Sequence, residues 1–170
     1  RATDHGLMVL ITCSDPATAS VAPFGGLDAV MTPNPMAVGI PTCSDPVLID
    51  ISASITTNGL SGRLRGEGRS LPGIWALAHD GTPTADPGVI FADPPGTLLP
   101  VGGTDHGHKG YALGLTVEAL SQGLSGHGRA DAPDGWGASV YVQVTDPAAF
   151  GGSDAFARQT QWLVDRCHAA

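Results

Sequence analysis

The sequence predicts an α/β fold: a layered mixed sheet with flanking helices that is not a Rossmann fold. Three observations favour this class. Short apolar runs rich in β-branched residues are bounded by Pro, Asp and Gly, which is typical of strands. A later segment carries apolar residues at helical spacing. No predicted strand is followed by G-x-G-x-x-G, so the usual dinucleotide-binding fingerprint is absent.

The first half of the chain supplies most of the predicted strands. They are Leu7 to Thr12, Met36 to Ile40, Val47 to Ser52 and the shorter Ile74 to Ala78. These runs are too continuously apolar for a sheet with one wet face, and strands buried on both faces need covering helices. We therefore expect helices on both sides of the sheet. A turn-rich connection follows at Asp80-Gly81.

The predicted helices are of unequal clarity. Ser52 to Gly68 is polar and glycine-containing, and it predicts a weak helix followed by a loop. The clearest helix begins near Lys109. Its apolar residues recur at spacings of four, three and four, and therefore share one face. They are Leu113, Val117, Leu120 and Leu124.

The end of the chain predicts one more strand and one more helix. Ser139 to Thr145 alternates valines with polar residues, as expected for a strand with one wetter face. A last helix starts at the cap Ser153-Asp154. No internal repeat or linker divides the sequence, so we expect residues 1–170 to form a single domain.

Composition excludes several classes of function. Eight basic against sixteen acidic residues give a net charge of -8, which disfavours contact with nucleic-acid phosphates. The apolar runs are far too short to span a membrane, and no signal-peptide pattern is present. We therefore expect a cytoplasmic protein without nucleic-acid or membrane partners. The cysteines, Cys13, Cys43 and Cys167, are odd in number and lack C-x-x-C spacing, which indicates buried or inert free thiols.

The densest polar cluster is the loop from Gly102 to Gly110. Glycines allow backbone N–H groups to approach a ligand, and the helix that follows points its partial positive end at the loop. Lys109 adds a full charge, so the segment predicts an anion site. The alternative is a plain turn in which Asp105 caps the helix and Lys109 lies in solvent.

Asp105, His106 and His108 also resemble a metal-ligand cluster, because alternate residues of an extended segment project to the same side. This pattern gives a rival hypothesis, a metal-dependent hydrolase. No second cluster of ligands accompanies it, and solvent-facing histidines are the commoner outcome, so we predict no metal site.

Two further residues are candidates on weaker grounds. Asp50 lies near the end of a strand, where a carboxylate can accept hydrogen bonds from ribose hydroxyls or cap a helix. Ser14 follows the first strand in a segment that by itself indicates only a turn.

The motifs taken together resemble the malate/L-lactate dehydrogenase-like family of non-Rossmann oxidoreductases, which includes ureidoglycolate and sulfolactate dehydrogenases and cyclic-imine carboxylate reductases. The resemblance is collinear over nearly the whole chain. It runs through Cys13-Ser14-Asp15-Pro16, Val21 to Gly26, Asn34 to Ala37, Ile49 to Ser52, Trp75-Ala76-Leu77, Asp80 to Pro87 and Lys109 to Leu113.

The resemblance implies a sheet that binds NAD or NADP, with a small carboxylate substrate and a homodimeric assembly. The cofactor contacts that it implies are Ser14, Asp50, Ile51, Ser52 and Lys109. The expected reaction is hydride transfer between the nicotinamide and a 2-hydroxy/2-oxo acid or a cyclic imino acid.

The sequence also departs from the family pattern. Family members are about twice as long, and their catalytic histidine lies upstream of the position that matches Arg1, so no catalytic residue is assigned here. A cofactor-binding stretch near the family's C-terminus also has no match. We therefore expect the chain to be the central, cofactor-binding portion of the enzyme, with a non-catalytic nucleotide-binding fragment as a further alternative.

Overall fold

Seven β-strands and four α-helices follow one another along the chain, and the structure, a computed structural model, describes residues 1–170 throughout. In chain order they are β1 (Met8–Ser14), β2 (Pro35–Ile40), β3 (Val47–Ser52), α1 (Asn58–Gly66), β4 (Ala76–Leu77), β5 (Pro83–Thr84), β6 (Thr97–Leu98), α2 (Gly103–His106), α3 (His108–Glu118), β7 (Ser139–Thr145) and α4 (Ser153–His168). The predicted α/β class is confirmed.

The strands form two sheets. The larger has the order β3-β2-β1-β7, and the smaller has the order β5-β4-β6. Strands β1 and β2 pair antiparallel, with Val9 opposite Gly39 and Thr12 opposite Met36. Strand β4 pairs antiparallel with both of its neighbours. The long strands have nearly the predicted bounds, whereas the strand expected from Ile74 to Ala78 is reduced to two residues.

The chain divides into two compact units. The first unit comprises residues 1–12, 36–51 and 141–170, and the second unit comprises residues 13–35 and 52–140. All ten fully buried hydrophobic side chains belong to the second unit. Its central cluster is Val21, Met31, Leu64, Leu71, Ala76 and Leu98. That the whole chain acts as one domain stays a prediction.

The first unit has a more open arrangement than the sequence predicts. Leu48 on β3 is 74% exposed, and Val142 and Val144 on β7 are also exposed. Helix α4 buries none of its residues, and Trp162 is 61% exposed. The expectation that helices cover both faces of these strands is therefore wrong for this unit. None of the helices has the length and apolarity that a membrane crossing requires.

Helix α3 packs through small residues. It buries Gly110, Gly114 and Val117. A Cβ on Gly110 would lie 2.2 Å from the Val101 nitrogen, and a Cβ on Gly114 would lie 2.6 Å from the Met31 sulfur. The helix therefore approaches its neighbours more closely than any larger side chain permits.

The predicted apolar face of this helix is only partly covered. Of its four members only Val117 is buried, while Leu113 is exposed and Leu124 is 69% exposed. Beyond α3 the helix continues as a π turn at Ala119–Gly123, in which Ser121 and Gln122 are buried. The helix predicted within Ser52 to Gly68 is present as α1.

Candidate functional site

The segments that carry two of the predicted site residues meet in the second unit, at Val101. The N–H of Val101 donates to the carbonyl of Ala53 at 2.8 Å, and the N–H of Gly110 donates to the carbonyl of Val101 at 3.0 Å. Ala53 follows Ser52 and Gly110 follows Lys109. We call this pair of hydrogen bonds the junction at Val101. Ser52 and Lys109 are each next in sequence to a residue that takes part in it.

Lys109 is the only lysine of the chain. It is exposed in the first turn of α3 and takes part in none of the ion pairs or side-chain hydrogen bonds of the structure. A cation beside the positive end of a helix is mildly unfavourable unless an anion lies between them. The residue is thus free to bind an anionic group.

The other members of the predicted triplet differ in their surroundings. The Ser52 hydroxyl donates to the carbonyl of Ser54 at 2.8 Å. In the first unit, Asp50 and Ile51 are both exposed. Asp50 lies on a cleft of about 330 Å³ whose wall includes Leu48, and its carboxylate has no hydrogen-bond partner. It can accept hydrogen bonds from a ligand.

Ser14 is buried, and its hydroxyl is fully occupied. Gln122 Nε2 and Arg129 Nη2 donate to it at 3.0 and 3.1 Å. The hydroxyl faces two acceptors, Asn34 Oδ1 and Glu118 Oε1, both at 2.9 Å. A serine hydroxyl has one hydrogen and two lone pairs, so no bonding capacity is left for a ligand. Its contact with a cofactor stays a prediction that this network does not favour.

The remaining members of this network were missed by the sequence analysis. Arg129 and Glu118 form an ion pair at 2.9 Å, with side chains 23% and 18% exposed. Arg129 also donates to the carbonyl of Thr18. Gln122 completes the group, because its Oε1 accepts from the N–H of Arg129 at 2.9 Å. The cluster joins the end of β1 to the end of α3.

Asn34 ties this network to the backbone of α3. It is fully buried and adopts a left-handed conformation with φ 51°. Its Nδ2 donates to the carbonyl of Gly114 at 3.2 Å and to Glu118 Oε1 at 2.9 Å. The Thr32 hydroxyl donates to its Oδ1 at 2.6 Å. Asparagine adopts this conformation more readily than other non-glycine residues, and here the surrounding hydrogen bonds hold it in place.

The pKa values of two residues next to the network are shifted. Desolvation raises the pKa of Asp15, but hydrogen bonds from the Thr18 hydroxyl and from two backbone N–H groups outweigh it, so the pKa is lowered overall. Burial, with a smaller contribution from Asp15, raises the pKa of the Cys13 thiol. All three cysteines are free thiols; Cys13 is half-buried, whereas Cys43 and Cys167 are exposed, so none is fully buried.

The loop from Gly102 to Gly110 is helical rather than extended. Because α2 occupies Gly103–His106, the alternation of an extended segment does not apply to Asp105, His106 and His108. The rings of the two histidines are 6.1 Å apart, and nowhere do three potential ligands gather around a metal position. Asp105 also caps neither α2 nor α3, so the plain-turn alternative is wrong on this point.

Next to this loop lies an apolar cavity of about 250 Å³. Its walls include Phe24 and Leu27 from the loop after β1, Pro100, and Thr104 at the start of α2. The Phe24 ring packs edge-on against the His108 ring, with centroids 5.7 Å apart. The cavity belongs entirely to the second unit.

Comparison with known proteins identifies the family to which this fold belongs. A family model described as malate/L-lactate dehydrogenase matches residues 1–170. The chain belongs to the malate/L-lactate dehydrogenase family. Among its relatives in this family, an L-lactate dehydrogenase of Cupriavidus necator is 35% identical over 154 residues, which are 87% of this chain and 43% of that protein.

Solved structures show the same fold. Δ1-Piperideine-2-carboxylate reductase from Pseudomonas syringae pv. tomato matches with a TM-score of 0.81 and 31% identity, over 99% of this chain and 51% of that one. Malate dehydrogenase from Entamoeba histolytica matches with a TM-score of 0.78 and 25% identity, over 92% and 46%. The predicted family and fold are confirmed, and the chain spans about half the length of these relatives.

Proposed function

We propose that this chain forms the cofactor-binding part of a NAD(P)-dependent oxidoreductase. Its reaction is hydride transfer between the nicotinamide and the carbon next to the carboxylate of a 2-hydroxy/2-oxo acid or a cyclic imino acid. The relatives named above act on lactate, malate and Δ1-piperideine-2-carboxylate, which share that carboxylate. The observation that carries the proposal is the unpaired Lys109 next to the junction at Val101.

In this proposal, different residues of the chain contact different parts of the cofactor. Bound NAD or NADP supplies the hydride carrier. Lys109 and the first turn of α3 attract the cofactor phosphates, because a lysine and a helix N-terminus both favour anions. In the second unit, Ser52 adds a hydroxyl beside the same junction. In the first unit, taken by itself, the exposed Ile51 and the unpartnered carboxylate of Asp50 are the further contacts that the family resemblance implies, Asp50 with ribose hydroxyls.

A fluorescence titration of NADH and NADPH tests the proposal. Replacing Lys109 with alanine removes a charge-assisted contact and should raise the Kd about 10- to 100-fold. The matched control is Arg63→Ala, which removes an exposed, unpaired cation from α1 and should leave the Kd unchanged. Failure of either nucleotide to bind, or equal effects of the two substitutions, contradicts the proposal.

The single lysine permits a second, independent measurement. An amine-selective acylating reagent can modify only Lys109 and the chain's α-amino group. NADH should slow modification of Lys109 in peptide mass spectra while leaving the α-amino group unaffected. Equal rates with and without NADH would mean that the cofactor does not cover this side chain.

We also propose that the chain acts as part of a homodimer. The support is a set of large exposed hydrophobic side chains in the first unit, which includes Leu48, Val142 and Trp162. Burial of such side chains against a second copy of the chain removes apolar surface from water and favours association. Sedimentation at several concentrations should show a monomer–dimer equilibrium that Trp162→Lys shifts toward the monomer. A monomer at all concentrations contradicts this assembly.

A further inference from the structure

The apolar cavity of the second unit has no role in the function proposed above. Its lining contains no charged side chain. Phe24 and Leu27, on its wall, are exposed hydrophobic residues that a ligand would shield from water. Its volume of about 250 Å³ lies just below the range of about 300 to 1,000 Å³ for drug-sized ligands, so it suits a small group and not a whole dinucleotide.

The cavity and the candidate cofactor site are linked by one backbone segment. Pro100 lines the cavity, and the next residue, Val101, holds the junction between Ala53 and Gly110. A group in the cavity therefore lies next to the segments that carry Ser52 and Lys109. The second reactant of a cofactor-dependent reaction has to lie close to the cofactor, and a cavity beside these segments meets that requirement.

We propose that this cavity is the subsite for the uncharged side chain of the substrate acid. Uncharged walls exclude the carboxylate and accept hydrocarbon, so the acid binds with its chain inward and its carboxylate outside the cavity. The inference rests on the proposed function, because it takes the acid to be the partner of the cofactor. It adds a chain-length preference set by the wall that includes Phe24, Leu27 and Thr104.

A homologous series of ligands measures this preference. The probes are straight-chain 2-oxo acids of three to six carbons, and their Kd values are obtained by ligand-observed NMR with NAD⁺ or NADP⁺ present. The oxidised cofactor cannot reduce the acids, so binding is measured without turnover. Each added methylene should tighten binding about fourfold until the cavity is full, since burying one is worth about 0.8 kcal/mol.

Variants decide whether the cavity is responsible. Leu27→Trp and, independently, Thr104→Phe fill the cavity and should abolish the gain per methylene. The matched control is Leu124→Trp, which adds the same ring at an exposed position outside the cavity and should retain the gain. Circular dichroism confirms that each variant is folded, and two filling variants guard against one that is not.

Each outcome bears on one hypothesis. A flat series in the unmodified chain, or a gain that persists in both filling variants, overturns the inference. Concentration-dependent self-association that Leu27→Trp abolishes and Leu124→Trp does not also overturns it, because a second copy would then occupy the cavity. Absence of NAD⁺ and NADP⁺ binding, with the chain-length gain intact, instead contradicts the proposed cofactor site.

Discussion

Replacing Gly110 with alanine tests the packing that places Lys109. The new Cβ would lie 2.2 Å from the Val101 nitrogen, 2.5 Å from the Ala53 oxygen and 2.7 Å from the Val101 oxygen. All three are backbone atoms, so no side chain can rotate away, and α3 must move off its neighbours. The move breaks the hydrogen bond from Gly110 to Val101 and strains the one from Val101 to Ala53.

The expected cost follows from these losses. Two disrupted backbone hydrogen bonds at about 1 kcal/mol each, with lost packing, lower the free energy of unfolding by about 2 to 4 kcal/mol. Helix propensity alone predicts the opposite sign, because alanine is about 1 kcal/mol better than glycine in a helix. Urea denaturation gives the free energy, and NADH titration of the folded variant should give weaker binding.

Gly62→Ala is the control for that experiment. Gly62 also lies inside a helix, but its Cβ would meet only the Phe91 ring at 3.5 Å, an ordinary contact. This substitution should stabilise the chain by up to about 1 kcal/mol. If Gly110→Ala is as stable as the unmodified chain or more stable, and binds NADH equally well, the close approach of α3 at Val101 is refuted.

Three further predictions concern the buried network and the domain structure. Glu118→Ala should lower the free energy of unfolding by about 2 to 3 kcal/mol, because it leaves Arg129 unpaired, and a double-mutant cycle with Arg129→Met should show clear coupling in urea titrations. Asp15 has a pKa below its ordinary 3.8 in the folded chain, so its stabilisation is present above that pH and is lost as the pH falls through the folded-state value. Asp15→Asn should remove this part of the pH dependence of Tm below about pH 5. The single-domain prediction requires tryptophan fluorescence and far-UV circular dichroism to report one coincident unfolding transition, and two separate midpoints would contradict it.

The strands were predictable because their signal is local. The runs that became β1, β2, β3 and β7 are short, β-branched-rich and bounded by turn residues. The same runs gave no reliable information on burial. Leu48 and Val142 have the side chains of core residues, yet both are exposed, because exposure depends on what other segments cover them.

The polar network could not be predicted, because its members are far apart in the sequence. Ser14 and Glu118 are separated by 104 positions, and Ser14 and Arg129 by 115. Two weak signals were present. Glu118 is a charge within an otherwise apolar stretch of helix, and Asn34 lies between two prolines. Neither signal names a partner, so only the fold reveals that they meet.

The glycines of the loop before α3 have a different role in the structure from the one that the sequence predicts. The sequence predicts that they allow backbone N–H groups to approach a ligand. In the structure, a Cβ on Gly102 would lie 2.2 Å from the His106 oxygen, and one on Gly107 would lie 2.4 Å from the Gly103 oxygen. These glycines, like Gly110, serve contacts within the chain.

In the proposed cofactor site, anion binding therefore depends on the charge at Lys109 and on the helix end, while the glycines fix where that charge lies. The two contributions can be separated by salt. Loss of the Lys109 charge should reduce the ionic-strength dependence of cofactor binding, because fewer charges are then screened. Gly110→Ala keeps the charge and moves it, so it should weaken binding while the dependence on salt persists. Equal salt dependence in the two variants would mean that Lys109 does not contact the cofactor through its charge.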